Sequence, residues 1–377
     1  MAAASLLGGL TPRTFMRRHW QKEALLVRSA MAGFEGFVAR DDLFALAMRD
    51  DVESRLVRKE RGRWSLVRGP LSRTLLRRLP PRDWTLLVQG VNLHVREADA
   101  LLRKFAFISY ARLDDVMVSY AAPGGGVGPH VDAYDVFLLQ GLGRRRWRYG
   151  RQDDHAFRPD LPLRILRRFT PSHDAVLGPG DMLYLPPQYA HDGIALEACT
   201  TYSIGFRAPS ANELARAFLD LLHDHLCLPG DYRDPDLAPT REPARIDRSM
   251  LARVERMLRA VRWGRDDVQR FLGLWLSEPK PTVFFDQPAP ALTRAAFARR
   301  ACREGICLDR RTQLLYDEER VYINGDEVKR DPADALITTL ANARCLAPAA
   351  FAQASTAALD LVHDWYRNGY LQLGNGA

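Results

Sequence analysis

Long apolar runs and cysteine clusters are what this chain lacks, and lysine is scarce. No segment approaches the roughly 18 apolar residues of a membrane span, so a membrane protein is not expected. Met1 to Leu10 has neither a basic leading region nor an apolar core long enough for a secretion signal. The five cysteines, Cys199, Cys227, Cys302, Cys307 and Cys345, are odd in number and form no ligand-like cluster. That argues against a disulfide scaffold or a cysteine metal site and for a reducing, cytoplasmic compartment. No lysine lies between Lys104 and Lys280. An anion bound within that stretch must therefore be met by arginine.

What is present is more specific. The stretch Pro123-Gly-Gly-Gly-Val-Gly-Pro-His130-Val-Asp132 is answered 59 residues after Asp132 by His191, at the end of Leu183-Tyr-Leu-Pro-Pro-Gln-Tyr-Ala-His191. Two imidazoles and one carboxylate form the facial donor set that holds non-haem Fe(II) and leaves positions open. If Pro129 to Asp132 enters a strand, His130 and Asp132 point to the same face while Val131 packs on the other. The third ligand then comes from a neighbouring segment: the turn Gly178-Pro-Gly-Asp181, a short strand and a loop ending in His191. An isolated His-x-Asp is ordinarily a hydrogen-bonded loop pair. Here the glycine cluster, the Pro186-Pro187 turn and the alternating apolar segments between them match a double-stranded β-helix. The pair His223 and His225 falls in a helical pattern, where positions i and i+2 diverge, so it is not expected to ligate.

A facial triad also occurs in non-oxygenase metal enzymes, so the co-substrate decides the reaction class. Binding 2-oxoglutarate requires a buried cation for the distal carboxylate. After Val136 to Gln140 and the turn Gly141 to Gly143, the next strand reads Arg144-Arg-Arg-Trp-Arg-Tyr149. Alternation puts Arg145, Trp147 and Tyr149 on one face and Arg144, Arg146 and Arg148 on the other. The aromatic face is the inner one, which makes Arg145 the expected anchor and Arg207 its rival. Ser119 and Ser203 are possible hydroxyl partners.

The segments Phe15 to Val27, the glycine-rich His130 and Asp132 stretch, Gln140-Gly-Leu-Gly-Arg-Arg-Arg-Trp-Arg148 and Gly180-Asp-Met-Leu-Tyr-Leu-Pro-Pro187 resemble the JmjC-type ribosomal oxygenases. The likeness is to the bacterial members that hydroxylate an arginine of large-subunit ribosomal protein L-sixteen. It covers essentially the whole chain and is strongest over residues 10–208. Glu23-Ala24 departs from a Lys-Pro type pair common in relatives. The resemblance implies that His130, Asp132 and His191 bind Fe(II), that Arg145 with Ser119 binds 2-oxoglutarate, and that the substrate is L-sixteen. A ribosomal histidine hydroxylase or another JmjC oxygenase is the alternative, followed by a non-oxygenase metal cupin and a winged-helix nucleic-acid regulator.

The expected fold is α+β: a cupin or JmjC barrel over residues 1–208, a helical module over 209–277 and a winged helix over 278–377. The 377 residues and 47% hydrophobic content suffice for such cores. Ser210-Ala-Asn-Glu213 reads as a capping box before the apolar stripe Leu214, Phe218, Leu221 and Leu222. A second stripe, Met250, Val254, Met257, Leu258 and Val261, precedes Val268, Phe271, Leu272 and Trp275. The family resemblance makes this module a homodimer interface; packing on the barrel is the simpler reading. Helix signals at Thr293–Arg303 and Ala354–Asn368 flank a hairpin over Gln313 to Ile323 turned by Asn324-Gly325. Residues 278–377 hold twelve Lys and Arg against thirteen Asp and Glu. A module that reads phosphates should carry the basic excess itself, so direct DNA binding is not expected. The barrel half holds 42 basic against 33 acidic residues, and its arginines read as a solvated face. Asp114, Asp115 and Asp135 are the acidic candidates for holding a basic substrate.

Overall fold

The computed structural model describes residues 6–235, 237–331 and 335–374. Its first half is built on two sheets. The strands are β1 (Leu25–Val27), β2 (Ser54–Glu60), β3 (Arg63–Arg68), β4 (Trp84–Val88), β5 (Leu113–Ala121), β6 (His130–Val131), β7 (Val136–Gln140), β8 (Arg145–Arg151), β9 (His173–Leu177), β10 (Met182–Leu185), β11 (Tyr189–Ala195) and β12 (Cys199–Phe206). The large sheet runs β1-β10-β7-β12-β5-β4-β2-β3 and the small one β6-β11-β8-β9. All their pairings are antiparallel.

Strand alternation sorts the large sheet into two layers. Phe137 and Leu139 of β7, Tyr202 and Ile204 of β12 and Val116 and Val118 of β5 join Leu43, Leu101 and Phe105 from the helical side in one core. Val136 and Leu138 face the other way and pack with Trp147, Tyr149 and Leu177 of the small sheet. Because both faces are covered, Val136 to Gln140 is buried throughout. Each such side chain contributes about 2 kcal/mol relative to exposure. The N-terminal helix Pro12–Arg18, capped by the Thr11 side chain, seats fully buried Phe15 edge-on to Tyr184 at 4.9 Å.

Two compact units emerge: residues 1–208 with 280–312 and 344–377, and residues 209–279 with 313–343. Residues 280–377 contribute elements to both units. In the first unit, β13 (Ile306–Leu308) lies between β17 (Cys345–Leu346) and β18 (Leu371–Leu373), beside the helices Arg294–Glu304 and Thr356–Arg367. In the second, β14 (Leu314–Tyr316), β15 (Arg320–Ile323) and β16 (Asp326–Lys329) form a meander that packs on the helix Arg265–Ser277. That approach is close: a Cβ on Gly273 would meet the Tyr322 ring at 2.2 Å. Asn324 and Gly325 take positive φ and turn β15 into β16, whereas the earlier turn at Asp317 to Glu319 joins β14 to β15. The expected hairpin is thus the first half of a three-stranded unit. The capping box at Ser210 and Glu213 is present and opens the helix Ala211–His225.

The cysteine reading needs correction. Cys307 and Cys345 stand opposite each other across β13 and β17 and are joined by a disulfide. A separation of 38 residues concealed a pair that only the strand register creates. Cysteine usage therefore no longer argues for a reducing compartment.

The glycine-rich run has a packing reason. A Cβ on Gly125 would lie 2.2 Å from the Trp84 carbonyl oxygen and 2.8 Å from that of Ala122. Backbone atoms cannot swing aside as a side chain can, so Gly125→Ala should lower unfolding free energy by about 2 kcal/mol. A urea titration reads this directly, and an unchanged midpoint would show that the loop relaxes around the methyl group.

Candidate metal centre

β6 and β11 pair so that His130 lies directly opposite His191. Their ring centroids are 4.2 Å apart. Asp132 follows immediately after β6, with carboxylate oxygens 3.9 Å from His130 Nε2 and 3.6 Å from His191 Nε2. One donor atom from each residue falls within 4.8 Å of the other two, and no other such group occurs among the described residues. One detail differs from the expectation: His191 sits inside strand β11, not in a loop. The Pro186-Pro187 turn and Gln188, at φ 72°, reverse the chain early enough for pairing to resume at Tyr189.

The backbone sets the imidazole tautomers. His130 Nδ1 is 2.9 Å from the Gly128 carbonyl and His191 Nδ1 is 3.1 Å from the Tyr189 carbonyl. A proton on each Nδ1 donates to these oxygens, leaving both Nε2 lone pairs free on the side of Asp132. That is the form a ligating imidazole takes. Burial, reinforced by the neighbouring His130, pushes His191 down to about 4. At neutral pH it is uncharged and ready to ligate. Two imidazole nitrogens and a carboxylate, with no thiolate nearby, suit a divalent transition metal such as Fe(II).

These residues line a cavity of about 330 Å³. Along β11 the register continues from His191 to Ala195, which stands opposite Arg145. Four residues of strand correspond to about 13 Å. Arg145, Trp147 and Tyr149 do share the inner face, whereas Arg146 and Arg148 face outward in ion pairs with Asp174 and Asp192. Arg145 is 4% exposed, donates through Nη1 to Ser119 Oγ at 3.4 Å, and leaves Nε and Nη2 without a protein partner. Trp147 Nε1 and Thr85 Oγ1, in the same cavity, are likewise buried and unpartnered. A buried cation left in this way costs several kcal/mol unless an anion meets it. These donors fit a small carboxylate.

The remaining candidates separate by position. Ser203 lines the cavity; Arg207 does not, because it follows the end of β12 and approaches Asp114 at 4.0 Å. Asp114 and Asp115 line the cavity. Asp135 is corrected: it is fully buried behind the barrel wall and accepts from Tyr184 Oη at 2.5 Å and Gln21 Nε2 at 3.1 Å. One residue of strand parity separates it from the interior. His223 is exposed on its helix, as the spacing implied. Thr85 and Lys280 were missed. A single threonine in a β4 of apolar neighbours, or a lysine 89 residues after His191, carries no local signal of its place.

Comparison with known proteins agrees with this geometry. Residues 100–214 match the family model described as a JmjC domain, and residues 260–372 match that described as a ROXA-like winged helix. The chain is 35% identical over 335 residues to the ribosomal protein uL16 3-hydroxylase of Escherichia coli, covering 87% of this chain and 88% of that one. The chain belongs to the JmjC ribosomal oxygenases. Another family member, the probable ribosomal oxygenase of Haemophilus influenzae, is 38% identical over 232 residues, 60% of this chain and 55% of that one. The solved structure of YcfD, a ribosomal oxygenase from E. coli in complex with cobalt and 2-oxoglutarate, superposes with a TM-score of 0.81 at 32% identity. It covers 96% of this chain and 98% of the other. The barrel, helical region and winged helix are therefore those of this family, and the winged-helix match begins early enough to include the helix Arg265–Ser277.

The depressed His191 gives a pH signature to the metal-free oxygenase. An unfolded histidine takes up its proton near 6.5 and the folded one near 4, so acid favours the unfolded state within that window. Stability should be full above pH 6.5 and fall by roughly 3 kcal/mol as pH approaches 4. Denaturant midpoints across this range, compared with His191→Gln, test it; equal slopes in both proteins would remove the assignment.

Proposed function

We propose that this protein is an Fe(II)- and 2-oxoglutarate-dependent hydroxylase acting on an arginine side chain of large-subunit ribosomal protein L-sixteen. The observation that carries the reading is the juxtaposition, in one cavity, of the His130, Asp132 and His191 donors with a buried arginine that lacks an anion. His130 and His191 would hold the metal, and Asp132 would contribute the negative charge. Arg145 and Ser119 fix the distal carboxylate of 2-oxoglutarate. Fe(II) held there would supply dioxygen activation, with 2-oxoglutarate and dioxygen giving succinate and carbon dioxide as a substrate C–H becomes C–OH. The chain supplies orientation and water exclusion through the apolar walls Val136, Leu138 and Trp147.

A cationic target is supported by charge. Glu53, Asp114 and Asp115 give the cavity three carboxylates beyond Asp132. The E. coli relative is named for uL16 hydroxylation, and a basic ribosomal side chain suits such a site. A ribosomal-protein substrate supports a cytoplasmic location. No helix among the described residues is long and apolar enough to cross a membrane.

The proposed organisation is catalytic domain 1–208, helical dimerisation module 209–277 and winged helix 278–377. Leu219, Leu251 and Leu258 of the module are each more than 60% exposed, an apolar surface suited to a second copy in a homodimer. The acidic Asp317 to Glu319 turn supports a protein-directed or structural role for the winged helix and no direct DNA contact.

Mass spectrometry of L-sixteen peptides after anaerobic Fe(II) loading, then 2-oxoglutarate and air, tests the reaction. The expected gain of one oxygen on an arginine should vanish in Asp132→Ala. Succinate release without peptide oxidation would keep the oxygenase and discard the substrate, whereas no succinate would discard both. In the same assay Arg145→Ala should raise the 2-oxoglutarate requirement at least about tenfold, a loss of roughly 1.4 kcal/mol of binding, and Arg146→Ala should not. Equal effects would refute the carboxylate assignment.

A further inference from the structure

Lys280 has a side chain that is 43% exposed, yet its ammonium is committed to carboxylates of the metal-triad cavity. It is the first lysine after Lys104, and prolines at 279 and 281 flank it. Both restrict the local backbone, and the Val283 N–H donates to the Lys280 carbonyl at 2.9 Å, closing a turn. The side chain projects into the cavity of the metal triad. Its ammonium lies 3.2 Å from Asp114 Oδ1 and 3.2 Å from Asp115 Oδ2. Asp115 is 3% exposed and also accepts from Gln89 Nε2 and the Gly90 N–H, each at 3.0 Å.

The carboxylates that would receive a substrate cation are thus already occupied by a cation of the chain itself. Resting on the arginine-hydroxylase reading above, we propose that Lys280 is an internal stand-in for the substrate guanidinium, which must displace it from Asp114 and Asp115 to enter the site. The residue type suits the role. A buried carboxylate left without a counter-charge is costly, and Lys280 removes that cost in the free enzyme. An ammonium is a compact point charge without the planar fork of a guanidinium, so an incoming arginine that bonds a carboxylate in bidentate fashion outcompetes it. A lysine side chain or a neutral analogue presented to the site gains no such advantage. Lys280 therefore sets a threshold that selects arginine.

Competition predicts an order that a supporting role does not. Lys280→Met removes the competitor; Lys280→Arg installs one that holds the carboxylates with the substrate's own geometry. The test measures equilibrium affinity of the full-length enzyme, loaded with Mn(II) and 2-oxoglutarate, for a labelled arginine-containing L-sixteen peptide and its citrulline counterpart. For the arginine peptide, Lys280→Met should bind at least about fivefold tighter than wild type and Lys280→Arg at least about fivefold weaker. The citrulline peptide should respond to neither change.

If Lys280 merely braces the fold, Lys280→Arg would match wild type and Lys280→Met would bind more weakly, which overturns the proposal. Should Lys280→Met fail to fold in a melting experiment, the Lys280→Arg comparison decides alone. Turnover by the iron-loaded wild type is scored separately. Absence of arginine hydroxylation there sinks the functional reading, while normal hydroxylation with the wrong affinity order sinks only the role of Lys280.

Discussion

The register of β11 between β6 and β8 is the constraint on which the site depends. His191 stands opposite His130 on one side and Tyr149 on the other, Gly193 opposite Trp147, and Ala195 opposite Arg145. A slip of one residue would turn every one of these to the opposite face, because side chains alternate with period two. Small residues make the register workable: a Cβ at Gly193 would meet the Trp147 ring at 2.6 Å, and one at Gly126 would meet the Gly193 carbonyl at 2.6 Å. Glycine in this barrel thus sets how closely strands and indole approach the metal-binding edge.

Burial of charge organises the interior as strongly as burial of hydrocarbon. The outer arginines of β8 are satisfied by carboxylates across the strands, at 2.5 Å for both Arg146 with Asp174 and Arg148 with Asp192. The inner one, Arg145, meets the Ser119 hydroxyl and the Trp147 indole, and its Nε and Nη2 meet no carboxylate. Nearer the substrate side the sign reverses, with Asp115 held above the usual carboxylate range by burial and opposed by the nearby Lys280. One cavity therefore has a cationic end that suits a carboxylate and an anionic end that suits a cation, with the imidazoles of the triad in the same space. Such polarity orders two different molecules without large contact areas.

Much of this was legible in one dimension. The His130 and Asp132 spacing, the inward face of Arg145 and the capping box at Ser210 follow from local periodicity and turn chemistry and are found where these put them, whereas His191 lies within β11 and not in the expected loop. The misjudged features are non-local. Asp135 looked like a groove carboxylate, yet strand parity turns it to Tyr184. Arg207 looked like a rival anchor, yet it lies beyond β12. Cys307 and Cys345 looked unrelated until β13 and β17 brought them together. The turn at Asn324 was identified correctly, but the strand after it, β16, is short and charged and carried little hydrophobic signal.

By itself, then, the sequence determined the donor set, the strand parity that aims it, the lysine-free run that made arginine the expected cation, and membership of a family recognisable from its motifs. These are properties of residue type and spacing, which survive in a linear string. Only the tertiary structure decided what meets at the site from afar: Thr85 from β4, Asp115 from β5 and Lys280 from a proline-flanked turn 165 residues beyond Asp115. The reason is physical. Periodicity tells which face a side chain takes, but which partner fills that face depends on loop closure and packing between segments that share no local pattern.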